Sequence, residues 1–277
     1  MTPLLVMDGD SFAHRAYHAI PKSIRRGDRG AGNMLYGFSN MLLRLWDEER
    51  PRTLLVAWDS LETPTYRHEA LAVYQSGREF EPDLLDQLAL MPALVASAGL
   101  PVAKAPGYEA DDFLGAAVTF EEGAGGTVLV ATSDRDAFQL ASDKTTILQP
   151  VRGEAPARIG PAEVRERYGV DPQQVPDFIA LRGDPSDKIP GARGVGPKRA
   201  ADLLSQYGTL DALLREGRFA AEAEALRLYR EIATLDRAAP LPPLPDVSPD
   251  WPGAAAHARE LGMEGLAGRF AEAATWS

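Results

Sequence analysis

The chain has no cysteine and only four histidines among its 277 residues. Without cysteine there can be no disulfide, no zinc–thiolate site and no catalytic thiol, and a reducing compartment is expected. Long apolar runs are missing as well. The longest uncharged stretch, 88–103, carries Pro92 and Pro101 and is too short to span a bilayer. Asp8 stands where a signal peptide would need its apolar centre. These absences point to a cytoplasmic protein with no membrane partner. Positive charge is also scarce: 29 Lys and Arg face 40 Asp and Glu, for a net charge of −11. On its face that disfavours a nucleic-acid partner.

What is present looks like an α/β protein. Apolar residues 4–7 run straight into Asp8, and similar runs lie at 53–58, 127–132 and 145–148, with a weaker one at 101–103. Helical patterns fall between them at about 34–49, 82–98, 109–121 and 136–140. Apolar runs without alternation, separated by helices, predict a parallel sheet covered on both faces. From about 161 onward strands disappear. Residues 239–252 carry prolines at 240, 242, 243, 245, 249 and 252, so a linker or surface loop is expected there. A closing pair of small helices is expected over 254–274.

The carboxylates follow the strands. Asp8 ends the first run, Asp59 the second, and Asp134 with Asp136 follows the third. All therefore project at the carboxyl edge of the sheet, where open α/β sheets bind ligands. Pro106-Gly107-Tyr108-Glu109-Ala110-Asp111-Asp112 adds three acids at a helix start, more than the helix dipole needs, and like charges repel unless a cation sits among them. Leu181-Arg182-Gly183-Asp184-Pro185-Ser186-Asp187-Lys188 adds Asp184 and Asp187. Nine hard oxygen ligands with no cysteine select Mg²⁺ or Mn²⁺. Two such ions can clamp the attacking and leaving oxygens of a phosphodiester. With these nine set aside the chain is close to neutral, so the charge objection to DNA loses most of its force.

Other roles for Asp8 are a helix cap or, through Asp8-Gly9-Asp10, the nucleophile of a phosphatase. Gly183-Asp184-Pro185-Ser186-Asp187 superficially supplies a second phosphatase motif, but it follows a helical pattern rather than a strand. That scheme also leaves Asp59 and the 109–112 acids without work. Beyond Asp187, Lys188, Arg193, Lys198 and Arg199 form a basic run with no acid. Within it Gly194-Val195-Gly196 predicts a tight turn, and Pro197 suits the first position of a helix. Glycine N–H groups at a helix start favour a phosphate, so this segment reads as a sequence-independent clamp on a nucleic-acid backbone.

In order, MDGDSFAHRAYHA, YGFSNML, VAWDS, TYRHEALAVYQSGRE, GYEADD, ATSDRDAFQL and ALRGDPSDKIPGARGVGPKRAADLL make the chain recognisable over residues 3 to about 215. It resembles the 5′ nuclease (flap endonuclease-like) superfamily, and most closely the N-terminal 5′→3′ exonuclease domain of bacterial DNA polymerase I. The resemblance implies a Rossmann-like, mostly parallel sheet with helices on both faces in an α/β nuclease domain, 1–175. A helical arch at about 63–100 is implied as well. A helical DNA-binding region, 176–277, would carry a helix–three-turn–helix at 191–204.

By the same resemblance, Asp8, Asp59, Glu109 and Asp111 surround a first metal. Asp134, Asp136 and Asp187 hold a second near Asp111, and Asp112 and Asp184 support them, partly through water. Arg67 and Arg78 would approach the scissile phosphate from the arch. Lys188, Arg193, Gly194, Val195, Gly196, Lys198 and Arg199 would hold duplex DNA, with K⁺ as a further ion at that turn. The implied activity is structure-specific 5′→3′ exonuclease and 5′-flap endonuclease cleavage at flaps, nicks and duplex ends, in replication or repair. A monomer without a nucleotide cofactor, near a bacterial nucleoid, is expected. Two departures stand out: Tyr74-Gln75 where the family usually has Tyr-Lys, and Lys188 where Asn is frequent. Gln75 motivates the alternative of a branched-DNA-binding paralogue that does not cut, although such relatives would be expected to lose carboxylates that are all kept here.

Overall fold

The computed structural model describes residues 2–77 and 79–276. Its sheet comprises β1 (Leu4–Asp8), β2 (Thr53–Ala57), β3 (Val102–Ala103), β4 (Val128–Ala131), β5 (Thr145–Gln149) and β6 (Ala157–Ile159). The order is β3-β2-β1-β4-β5-β6, parallel except for β6, which pairs antiparallel with β5. This is the Rossmann strand order, with β1 and β4 flanking the point where the winding reverses. β6 was not anticipated: three residues, Ala-Arg-Ile, carry no apolar run, and only their antiparallel pairing with Ile147, Leu148 and Gln149 of β5 makes them a strand.

The first half of the chain carries α1 (Gly9–Ala19), α2 (Asn33–Glu49), α3 (Tyr66–Ala70), α4 (Pro82–Leu88), α5 (Met91–Ser97) and α6 (Ala110–Gly123). The second carries α7 (Pro161–Tyr168), α8 (Val175–Arg182), α9 (Pro197–Tyr207), α10 (Leu210–Arg215), α11 (Ala223–Ala233), α12 (Trp251–Glu260) and α13 (Glu264–Ala273). The pattern at 82–98 breaks into α4 and α5 because Pro92 lacks an N–H and clashes inside a helix, so it takes the first turn of a new one. Residues 136–140 form a 3₁₀ turn rather than an α-helix. No helix of the described residues is long and apolar enough to cross a membrane.

The parallel strands feed two cores. Leu4 and Val6 of β1 join a cluster with residues of α6, α8 and α11, while Leu5 and Met7 join a second with α1, α2 and α5. Burial on both faces explains the absence of alternation in the strands. The helical region expected over 176–277 does not pack as one unit: α12 and α13 join a different core from α8 to α11. They pack on the α/β half of the chain, where Trp251 meets Trp46 edge-on and stacks on Phe270, each at 6.0 Å between ring centroids. Asp250 N donates to Ala98 O at 2.8 Å, and Val247 N to Arg52 O at 3.0 Å, so the proline-rich segment returns the chain to its first half. Trp251 and Phe270 need an apolar partner, and α2 with α5 supplies it.

Candidate active site

The parallel register ends β1 and β2 level, with Asp8 opposite Ala57, so the acids that follow meet at one edge. Asp8 takes the helix-cap role that the sequence offered as one alternative, and a second bond besides. Its Oδ1 caps α1 by accepting Ser11 N at 2.9 Å, and its Oδ2 accepts Thr132 Oγ1 at 2.7 Å. Asp59 Oδ1 accepts Ala110 N at 2.7 Å, which pins the start of α6 to the end of β2. Thr132 Oγ1 accepts Asp134 N at 3.0 Å, and Asp134 Oδ1 accepts Asp136 N at 2.8 Å. These bonds lock the strand-end acids relative to one another.

Asp184 and Asp187 arrive from the far side. Asp184 and Ile189 exchange backbone hydrogen bonds of 2.8 Å each, which folds the loop into a tight hairpin-like clasp. Behind it Gly183 and Gly191, at φ 79° and 76°, press backbone on backbone. A Cβ on Gly191 would stand 2.4 Å from Gly183 N, so no larger residue fits.

Eight of the nine expected carboxylates line one open cleft of about 780 Å³. The exception is Asp112, which is fully buried. Successive helix residues point about 100° apart, so at the start of α6 Asp111 faces the cleft while Asp112 turns inward. The nine are nonetheless made up again, because Asp10 lines the cleft and its Oδ2 accepts Asp59 N at 2.7 Å. Asp10 was visible in the sequence only as part of the phosphatase reading. Arg135, Arg182, and the aromatic pair His14 and Phe80, 5.3 Å apart, also line the cleft, and no sequence signal singled them out.

Arg67 corrects another expectation. It does not reach for a phosphate; it is 2% exposed beneath the cleft. Its Nη1 and Nη2 donate to both oxygens of Asp112 at 2.9 and 2.7 Å, Nη1 also to Glu109 Oε2 at 3.1 Å, and Nε to Ile232 O at 2.9 Å. The five-residue α3 sits between α6 and α11, so its arginine meets two acids and a helix end before it can meet solvent. Arg78 lies outside the described residues.

The residues of the expected backbone clamp divide. Gly194, Gly196, Lys198 and Arg199 are exposed at the start of α9. Val195 is buried and its N–H is taken by Ala192 O at 3.1 Å. Arg193 is exposed, but its N–H donates to Glu222 Oε2 at 2.9 Å. Lys188 turns away from the clamp, its Nζ bonding Ser76 Oγ at 3.0 Å and Ser76 O.

Burial, with Asp59 and Asp134 adding repulsion, pushes the Asp8 carboxyl up to about 7. Burial likewise pushes Glu109 up to about 7, against the pull of Arg67. Asp10 and Asp136 are raised well above the carboxylate range by burial and by Asp59 and Asp134 respectively. Such a set resists full ionisation without cations. Among the described residues no three acids stand close enough to enclose an ion by themselves. All the same, the donors fit hard divalent ions that keep part of their water shell.

Residues 3–169 match the family model described as 5′-3′ exonuclease, N-terminal resolvase-like domain, and residues 170–250 that described as 5′-3′ exonuclease, C-terminal SAM fold. DNA polymerase I of Mycobacterium tuberculosis is 40% identical over 214 residues, 76% of this chain and 24% of the relative. DNA polymerase I of Deinococcus radiodurans is 41% identical over 209 residues, 75% of this chain and 21% of the relative. The chain thus spans under a quarter of the length of these curated relatives. T5 D15 protein co-crystallised with metal ions shares the fold, with TM-score 0.71 and 18% identity over 98% of this chain and 99% of that one. So does human GEN1 in complex with Holliday junction DNA, at 0.63 and 14% over 98% and 71%.

Proposed function

The chain belongs to the 5′-3′ exonuclease family, and from that premise we propose that its acidic cleft hydrolyses DNA phosphodiesters near a 5′ end, at flaps, nicks or duplex ends, in replication or repair. The observation that carries this is the meeting of nine carboxylates from five chain segments in one cleft, in a chain that also exposes a basic helix start. Asp8, Asp59, Glu109 and Asp111 would hold one divalent ion, and Asp134, Asp136 and Asp187 the other. Asp10 supports Asp59 through its backbone N–H. Bound Mg²⁺ or Mn²⁺ would supply Lewis-acid stabilisation of the attacking and leaving oxygens.

The remaining work falls to the protein. The Gly194–Gly196 turn and the start of α9, with Lys198 and Arg199, would grip the duplex backbone independently of sequence. Arg78 keeps the phosphate-facing role that the resemblance gives it, whereas Arg67 holds Glu109 and Asp112 in place from below.

Incubating labelled 5′-flap and nicked duplexes with Mg²⁺, Mn²⁺ or EDTA tests the activity. Short products released from the 5′ end only with metal are expected. Binding of the flap with no cleavage under any metal would instead favour the non-catalytic paralogue.

Two further outcomes follow from the geometry. Because the cleft acids repel one another, adding Mg²⁺ or Mn²⁺ to EDTA-treated protein should raise Tm by several degrees, with about 2.7 kcal/mol expected at a hundredfold excess over Kd. An unchanged melting curve would argue against ion binding there. Removing Lys198 and Arg199 together should weaken binding to all sequences alike and lower the salt-dependence slope by roughly two. Filter binding across a salt series would measure it, and a loss confined to particular sequences would contradict the clamp.

A further inference from the structure

Glu109 and Asp187 face the same cleft from different segments, one at the start of α6 and the other in the clasp after α8. A chain of hydrogen bonds joins them. Gln75 Nε2 donates to Asp187 Oδ1 at 3.1 Å and to Tyr74 Oη at 2.9 Å, and Tyr74 Oη donates to Glu109 Oε2 at 3.0 Å. Both hydrogens of the carboxamide nitrogen are used, and the phenol passes its own on. A neutral group with two donors on one atom suits this place: one acceptor is a carboxylate, the other an oxygen already committed as a donor.

The backbone is committed to the same contact. Gln75 N donates to Asp187 O at 3.3 Å, and Lys188 Nζ bonds Ser76 Oγ at 3.0 Å from the other side. Gln75 and Lys188 both adopt left-handed backbone, at φ 47° and 58°. A side-chain-bearing residue keeps that conformation only where its surroundings over-determine it, and such residues gather at functional sites. Here Gln75 bonds Asp187, the residue before Lys188, and Lys188 bonds Ser76, the residue after Gln75. Tyr74 is buried, which leaves it little freedom to break the chain.

We propose that Gln75 is a positioning residue, its carboxamide fixing, through Tyr74, the spacing between Glu109 and Asp187 so that both carboxylates serve the same cleft. The proposal rests on the ion-holding reading of the cleft given above. It implies that neither Gln75 nor Tyr74 need touch the substrate, and that loss of either loosens ion binding.

The test is Mn²⁺ binding to the full chain without DNA, followed by electron paramagnetic resonance, for wild type, Gln75→Met, Tyr74→Phe and the double variant. Each single substitution should weaken Mn²⁺ binding about tenfold or more, the scale of losing a partner that orients a ligand. The Mg²⁺ concentration for half-maximal cleavage should rise in parallel, while DNA affinity in EDTA and the melting temperature in EDTA stay at wild-type values. The double variant should bind no more weakly than the weaker single one, because one chain is broken in each case. Wild-type Mn²⁺ affinity in Gln75→Met and Tyr74→Phe overturns the proposal alone. Additive losses in the double variant overturn it as well, since two independent contacts would then be at work. A wild-type protein that binds no Mn²⁺ overturns the ion-holding reading, and this proposal with it.

Discussion

Asp134→Asn should lower the cleavage rate on a 5′-flap duplex by roughly a thousandfold or more, the equivalent of about 4 kcal/mol of transition-state stabilisation. It should leave DNA binding intact or tighter. The substitution is nearly isosteric and Asn Oδ1 can still accept Asp136 N, so the loop keeps its shape. What disappears is one negative charge that, after burial, is the chief influence raising Asp136 and one of those raising Asp8. With fewer acids to repel phosphates the complex should hold at least as well, so the defect should lie in turnover. Single-turnover kinetics with a parallel gel-shift titration separates the two. Asp187→Asn is expected to behave alike. Full activity in either variant would remove the two-ion assignment.

Arg67→Met should show its largest effect on stability. The guanidinium is buried with Asp112 and against Glu109, and both acids would be left without their cation in a dry site. Breaking a buried pair by removing one partner costs about 3–5 kcal/mol, which urea unfolding of the full chain would register as a lower midpoint at unchanged slope. Arg67→Lys should recover only part of this, since an ammonium cannot span both Asp112 oxygens as the fork does. Arg67→Met combined with Asp112→Leu should lose less than the two single losses together, because the pair leaves as a unit. A wild-type unfolding midpoint with a collapsed cleavage rate would return Arg67 to the role of a phosphate contact.

Much of the acidic cleft is legible in the sequence. Strand ends place side chains at a known edge of a parallel sheet, so Asp8, Asp59, Asp134 and Asp136 could be gathered from periodicity alone. Gly183-Asp184 followed a helical pattern, and α8 does end at Arg182, which leaves the phosphatase scheme without the strand it needs. The residues of the proposed clamp part company in the structure. Gly194, Gly196, Lys198 and Arg199 stand exposed where a phosphate could reach them, but Lys188, four residues before the Ala192–Val195 turn, was drawn to Ser76 by a contact that sequence neighbours do not reveal.

By itself the sequence determined the five parallel strand runs, the helix starts marked by proline and acid, and the membership of most carboxylates in one edge, because each depends on spacing within a short segment. Only the tertiary structure decided which of Asp111 and Asp112 faces the cleft, that Asp10 joins it, that Arg67 is buried and that α12 and α13 return to the α/β half of the chain. Those outcomes turn on rotation about a helix axis, on what packs beside a five-residue helix, and on which apolar face Trp251 and Phe270 can find. Each is a property of contacts between segments far apart in the chain, where local periodicity carries no information.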